Sequence, residues 1–353
     1  MWNHLAIIKN IIIFAKSKTI YSFTKAMTYN TTKKRVVGVN ISLYTTTYAI
    51  VDIRGNIIAQ DQFPTLDHPN TNEFTSFLCS RLIEMMEANG GYDTIRSVGV
   101  GVLSGNFVKG CIEYSPSLPW KGEVPLASMM RDRLGMAVAV GNNAHVRALG
   151  EHTFGSAHGM SDFIVVTLGP GFGSCMFSNG HPNLGYEGFA GEIGHVCVNP
   201  NGRRCGCGGV GCLEAYCAEG GIIQTAQKLM NESDEPSLMR NCENLDPKLI
   251  NDFCEQGDKL SIEVYRRTGE MLGLGLSLYA SVINPEAIIF TGGISRAGHW
   301  LFDPAKKIFE ENIFHNLRGK VKFLTSTLTD IERSVLGASA LAWEVKEYSL
   351  FKE

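Results

Sequence analysis

With 353 residues, 44% of them hydrophobic and 19% charged, the chain has material for two domains or one large one and for a sizeable core, which excludes disorder. The net charge of −3 arises from mixed signs with no basic footprint, so neither direct nucleic-acid binding nor a membrane surface is expected. Ten cysteines are too few in so long a chain for a secreted disulfide framework. Cys79, Cys111, Cys175 and Cys197 stand singly in apolar runs and read as reduced, buried thiols, as in a cytoplasmic protein.

The opening stretch, Leu5 to Phe14, is interrupted by Lys9 and Asn10 and is too short to span a membrane. It lacks a small-residue cleavage site, and everything before Met27 is too short for a complete winged helix-turn-helix. It reads either as an amphipathic helix or as an artefact of a start placed too early, so 1–34 is set apart as an extension of uncertain origin. Arg35 to Ile41, Thr45 to Ile53 and Ile57 to Gln60 are strands joined by short turns. The apolar spacing of Phe74, Phe77, Leu78, Leu82, Met85 and Met86 predicts a helix over 72–89. Val98 to Leu103 is a strand, Leu126 to Leu134 a helix and Ala137 to Val140 a strand.

The pattern then restarts. Asp162 to Leu168 is a strand, Gly169-Pro-Gly-Phe-Gly173 a glycine turn, and Ser174 to Ser178 the return strand before an Asn179-Gly180 hairpin signal. Helix follows Ala218 and again spans 259–282. Glu286 to Thr291 is a buried strand broken by Gly292-Gly293, and 299–314 is helical. Two rounds of one pattern predict two related α/β lobes, 35–150 and 151–353, with a ligand between them.

The most specific local signal is His195, Cys205, Cys207 and Cys212, spaced His-x9-Cys-x-Cys-x4-Cys. Three thiolates and an imidazole suit a closed, structural Zn2+ site, placed here in a loop over 195–212. Cys205 and Cys207 are too close in sequence to form an unstrained disulfide. The Gly-rich loop has no core of its own, and metal binding would order it directly. Glu192 lies one turn before His195, and Glu214 lies two residues after Cys212. Zinc would fix two carboxylates beside one imidazole, a group suited to the hydroxyls of a polyol.

The segments Gly188-Phe-Ala-Gly-Glu-Ile-Gly-His195 and Cys205-Gly-Cys207-Gly-Gly-Val-Gly-Cys212-Leu-Glu214 resemble the signature of the ROK family of repressors, open reading frames and sugar kinases. Ser115-Pro-Ser-Leu-Pro-Trp120, Asn142-Asn-Ala144, Ala148-Leu-Gly-Glu151, Thr291-Gly-Gly293 and Leu336-Gly-Ala338 follow in family order. The resemblance runs from about Val36 to the C-terminus. It implies a two-lobed actin-like ATPase (ribonuclease H-like) sugar-kinase fold, a dimer or higher homo-oligomer, and glucose or an N-acetylhexosamine as ligand. It also implies that Asn142, Glu192, His195 and Glu214 contact the sugar, and that Gly169, Gly171, Gly173, Gly292 and Gly293 line the nucleotide.

Four departures from that pattern bear on chemistry. Asn143 stands where the family has its catalytic Asp, and a carboxamide orients a hydroxyl but cannot take its proton. Asn40-Ile-Ser-Leu-Tyr44 replaces the family's Asp-x-Gly-Gly-Thr phosphate turn, adding bulk and removing a charge that would help place Mg2+. Pro170 replaces Thr in the second phosphate turn, which loses a hydroxyl and an N–H. Ser117 replaces an Asn that bears on sugar preference. ATP and Mg2+ are therefore expected only if phosphoryl transfer is retained. Three readings follow: a sugar-binding sensor or regulator with weak or lost transfer, an active glucokinase-like hexose kinase, and a structural subunit of a hetero-oligomer.

Overall fold

The computed structural model describes residues 33–115 and 117–345; the N-terminal extension considered above falls, up to residue 32, outside them. The first half opens with β1 (Arg35–Ile41), β2 (Thr45–Asp52) and β3 (Ile57–Pro64), then α1 (Thr71–Ala88) and β4 (Ile95–Val102). Short strands β5 (Gly105–Asn106), β6 (Cys111–Glu113) and β7 (Glu123–Val124) precede α2 (Leu126–Leu134), β8 (Ala137–Asn142) and α3 (Asn143–Phe154). The second half begins with β9 (Phe163–Leu168), β10 (Phe172–Ser178) and β11 (His181–Pro182). It continues with α4 (Glu214–Cys217), α5 (Glu219–Glu232), α6 (Pro247–Glu255), α7 (Lys259–Ile283), β12 (Ala287–Thr291), α8 (His299–Asn312), β13 (Lys322–Thr325) and α9 (Asp330–Glu344).

The repeat legible in the sequence is a repeat of topology. One sheet has the order β3-β2-β1-β4-β8 and the other β11-β10-β9-β12-β13. In each, three antiparallel strands joined by tight turns meet parallel strands reached through helical crossovers. β1 is buried along nearly its whole length and is apolar at almost every position, as an inner strand covered on both faces must be. β3, at the edge, alternates half-buried and exposed residues instead. The small sheet β5-β6-β7 is additional to the predicted strands, which are too short there to show a period.

Local chemistry fixes the element ends. Asn70 caps α1 through Asn72 and Glu73 N–H groups, and Asp258 caps α7 through Leu260 and Ser261 N–H groups. Thr329 and Glu332 form a reciprocal capping box on α9. Apolar periodicity does not pick out α3 or α9, because both are buried over most of their circumference. α9 returns to the first sheet and lies flush on it. A Cβ on Gly38 of β1 would stand 2.2 Å from Val335 O, and one on Gly99 of β4 would stand 2.0 Å from Ala338 O, so only glycine permits this approach. α3 meets α9 across the buried ion pair Arg333 Nε–Glu151 Oε1 at 3.1 Å, with side chains 6% and 0% exposed. The halves share a core in which Val146 and Leu149 of α3 and Ala338 and Leu341 of α9 pack with Phe163, Val165 and Ile289. No helix among the described residues is long and apolar enough to cross a membrane.

Candidate functional site

The loop from residue 183 to 213 is built from turns rather than regular structure, so its position depends on side chains that reach it from both halves. Asn106 of β5, fully buried, donates from Nδ2 to Glu187 O at 2.8 Å. His145 of α3 places Nε2 3.2 Å from Ala190 O. Ser174 of β10 donates to Gly191 O at 2.5 Å and accepts from Ile193 N–H at 3.1 Å. Held at these points, the chain enters a 3-10 turn over Ile193–His195, in which the His195 N–H donates to Glu192 O. That turn sets Glu192 and His195 on neighbouring positions. Burial raises the Glu192 carboxyl above the ordinary carboxylate range; the His195 ring opposes the shift and Glu214 adds to it, so the three groups lie within electrostatic reach of one another. Tyr279 of α7 also faces Glu192, whose charge adds to the effect of burial in raising the phenol.

His195, Cys205, Cys207 and Cys212 converge, with one donor atom from each within 4.8 Å of all the others. His195 Nδ1 lies 3.7 Å from Cys205 Sγ, and Cys207 Sγ lies 3.7 Å from Cys212 Sγ. A tetrahedral centre with metal–sulfur bonds of about 2.3 Å has sulfur–sulfur edges of about 3.8 Å, so the donor set fits a zinc-sized ion. Burial pushes the Cys205 thiol up, whereas the Gly209 N–H pulls Cys207 down, and a cation is what would hold the set as thiolates together. Cys79, Cys111 and Cys175 are buried as expected, but Cys197 is exposed. The apolar run around it belongs to a surface loop, not to a core strand.

Glu214, the first residue of α4, joins this loop to the turn between β9 and β10. Its Oε2 accepts the Phe172 N–H at 2.9 Å, and its Oε1 lies 3.5 Å from Cys205 Sγ. Within that turn Gly169 N–H donates to Gly171 O, Gly169 O accepts from Glu219 N–H, and Pro170 has no N–H. Gly173 faces α3, where its missing side chain lets Ala144 approach; a Cβ there would stand 3.3 Å from Ala144 Cβ. Gly292, at φ 91°, lies against the end of β9, where a Cβ would stand 2.2 Å from Leu168 O, while Gly293 opens onto free space.

The turn between β1 and β2 is closed on itself. Ser42 N–H and Oγ both donate to Thr45 O, and Thr45 N–H donates back to Ser42 Oγ. Leu43 is half-buried and Tyr44, at the tip, is 70% exposed. Asn40 is buried in β1. Asn142 caps α3, its Oδ1 accepting from Ala144 N–H at 2.8 Å. Asn143 is buried, and its Nδ2 donates to Ile41 O at 3.4 Å, which fixes the amide's orientation and leaves Oδ1 buried without a partner. Ser115 Oγ is likewise buried and unpaired, whereas Ser117 is exposed.

Thus the predicted residues Asn142, Asn143, Gly169, Gly171, Gly173, Glu192, His195, Glu214, Gly292 and the three cysteines fall along one chain of contacts running between the two sheets. Sequence reasoning did not single out Asn106, His145, Ser174 or Tyr279. His145 and Ser174 directly follow segments that were singled out and Asn106 and Tyr279 stand apart from any, but in each case only the tertiary partner shows the residue's role.

Two repeated sheets of this order, joined through α3 and α9, define a two-lobed actin-like sugar-kinase fold. The match to a model of the ROK family spans residues 36–345 and shows that the chain belongs to that family. It is 29% identical to the glucokinase of Thermotoga maritima over 88% of this chain and 98% of that protein. It is 27% identical to the DNA-binding transcriptional dual regulator NagC of Escherichia coli, covering 86% of this chain and 74% of that protein. Among solved structures, the ROK family glucokinase of Streptomyces griseus in complex with glucose and AMPPNP aligns with a TM-score of 0.71 at 27% identity, over 88% of this chain and 100% of that one.

Proposed function

We propose that this chain binds a hexose or N-acetylhexosamine between its lobes, 35–150 and 151–353, with Asn142, Asn143, Glu192, His195 and Glu214 around the sugar. In this reading the Cys205, Cys207, Cys212 and His195 set holds a structural zinc ion. The zinc supplies rigidity to the loop, and the side chains make the hydroxyl contacts. The chain transfers phosphate weakly or not at all and serves as a cytoplasmic sugar-responsive regulator, as a homodimer or homotetramer without direct DNA contact.

The observation that carries this reading is the buried, unpaired Oδ1 of Asn143. A buried acceptor without a partner costs about 1–3 kcal/mol, and a ligand hydroxyl donating to it would remove that cost. The same amide cannot accept the hydroxyl's proton outright, so the site is better suited to holding a sugar than to activating it.

The turns support the loss of transfer. A phosphate cradle needs free backbone N–H groups. In the second turn Gly169 N–H is bonded to Gly171 O, Pro170 has none and Phe172 N–H is bonded to Glu214, which leaves Gly171 N–H as the turn's uncommitted donor. In the first turn Ser42 and Thr45 bond each other, the Leu43 and Tyr44 N–H groups stay uncommitted, and those two side chains add bulk at the tip. A proline in one turn and two bulky side chains in the other make a poorer cradle for a Mg2+-nucleotide than glycine-rich turns would.

An active, glucokinase-like hexose kinase is the second reading. It is favoured by the open Gly293 and by a match that spans nearly the whole of the Thermotoga maritima glucokinase. Calorimetry with a hexose and N-acetylhexosamine panel, together with a coupled ATP/Mg2+ assay, separates the two. Sugar binding with turnover far below ordinary kinase rates of about 1–100 s⁻¹ is expected. Turnover within that range would overturn the regulator reading, and no binding of any sugar would favour the structural-subunit alternative.

A further inference from the structure

The metal loop carries one thiol more than the metal site uses. Cys197 is exposed, two residues past His195. Val198 N–H donates to Gly211 O at 2.8 Å and Leu213 N–H donates to Val196 O at 3.0 Å. Between these bonds Cys197 and Cys212 face each other as the non-hydrogen-bonded pair of an antiparallel bridge. Such pairs have Cα atoms about 4.5 Å apart, inside the roughly 4.4–6.8 Å that a disulfide spans. The Cys197 sulfur leans over the facing strand, because a Cβ on Gly211, the neighbour of Cys212, would stand 3.0 Å from it. Cys212 itself is 3% exposed and belongs to the cluster with His195, Cys205 and Cys207.

We propose that Cys197 and Cys212 form a disulfide when a hydroperoxide reaches the loop, and that this disulfide withdraws Cys212 from the metal and releases it. The inference rests on the zinc reading given above. The exposed Cys197 thiolate attacks one peroxide oxygen, the O–O bond breaks, and Cys197 becomes a sulfenic acid while water (or an alcohol) leaves. The Cys212 sulfur then attacks the Cys197 sulfur, the S–O bond breaks, and hydroxide departs and takes a proton to give a second water. Two thiols are oxidised to one disulfide, and one peroxide is reduced. The remaining His195, Cys205 and Cys207 form an incomplete donor set, so His195 and Glu192 lose their anchor and the loop loses its grip on a sugar.

The test uses the purified full chain with its metal content measured first. Hydrogen peroxide is added, zinc is followed with a chromogenic chelator, and thiols are mapped by differential alkylation and peptide mass spectrometry. Release of the bound zinc together with a linked Cys197–Cys212 peptide is expected, and a thiol reductant with added zinc reverses both. Cys197→Ser is expected to bind zinc and melt as the parent does, to give no linked peptide and to release zinc at least about tenfold more slowly. Equal release from Cys197→Ser, or a disulfide joining other cysteines in the parent, overturns the proposal. Material that carries no zinc fails the zinc reading instead, and the peptide map of that same material then decides the disulfide by itself: linked Cys197–Cys212 supports the pair, and its absence removes it.

Discussion

The loop of residues 188–214 and the two hairpin turns at 42–44 and 169–171 are held in shape by different means. The loop brings all four metal-type donors within 4.8 Å and sets Glu214 Oε1 3.5 Å from one of them, Cys205 Sγ. The turns close on bonds between Ser42 and Thr45 and between Gly169 and Gly171, with Phe172 N–H tied to Glu214, and one carries a proline at its tip. On the zinc reading, a loop ordered by its metal has little room for change, since losing one ligand would unfold it. A phosphate turn that closes on its own hydrogen bonds stays folded without phosphate, so it tolerates the loss of its ligand. On that reading the difference teaches that a part of a site which doubles as structure persists, whereas a part used only for chemistry is free to drift.

The largest effect should come from removing the metal. A strong chelator, or Cys212→Ser, is expected to abolish sugar binding in calorimetry and to lower stability by several kcal/mol in chemical denaturation, because the ligand set and the loop fold together. Unchanged sugar affinity in metal-free protein would break the contrast between loop and turns.

Glu214 touches both regions. Glu214→Ala removes the acceptor of the Phe172 N–H and is expected to cost about 1.5–3 kcal/mol, as for a hydrogen bond to a charged group. Sugar affinity should fall with it. A loss of stability with no change in affinity would confine Glu214 to a structural tie.

Asn143→Asp tests whether the turns or the base limit transfer. A working base contributes typically about 10²–10⁴-fold. With Pro170 lacking an N–H, Phe172 N–H tied to Glu214, and Leu43 and Tyr44 crowding the other turn, the variant is expected to gain less than about tenfold in ATP-dependent turnover, since a base without a good phosphate cradle has little to act on. It should also be less stable by about 1–3 kcal/mol, because a carboxylate cannot donate to Ile41 O as Nδ2 does. A gain near the full base contribution would mean that the turns still accept phosphate.

The smallest effect concerns the clamp on Ala190. Burial lowers the His145 pKa below its ordinary 6.5, with the Ala190 carbonyl opposing the shift. As pH falls below about 6.5 the unfolded chain takes up a proton that the folded chain refuses, so stability declines by up to about 1.4 kcal/mol per pH unit from this group, and no loss is expected above it. His145→Gln, measured against the parent by denaturation at pH 7.5 and 5.5, is expected to show a shallower decline. Identical slopes would place the pH dependence elsewhere.

The sequence by itself determined much of this. The doubled strand–turn–strand pattern forecast the two sheets, because inner strands buried on both faces must be apolar runs and the turns between them need glycine, asparagine or proline. The spacing of His195, Cys205, Cys207 and Cys212 forecast a shared metal site, because a short loop brings its own donors together whatever surrounds it. Asn143, Leu43, Tyr44 and Pro170 were legible as departures by residue type alone, since a carboxamide, a bulky side chain and a proline have fixed capacities, and the proposal of weakened transfer rests on them.

Only the tertiary structure decided the rest. α3 and α9 have no apolar stripe, since they are buried nearly all round, and their place was set by Gly38 and Gly99 opposite α9 and by the Arg333–Glu151 pair. His145, Asn106 and Ser174 became clamps on the loop through backbone partners between 17 and 81 residues away in sequence. Cys197 looked like a core thiol and proved to be a surface one set opposite Cys212, because burial depends on what folds over a segment and not on the apolar residues beside it.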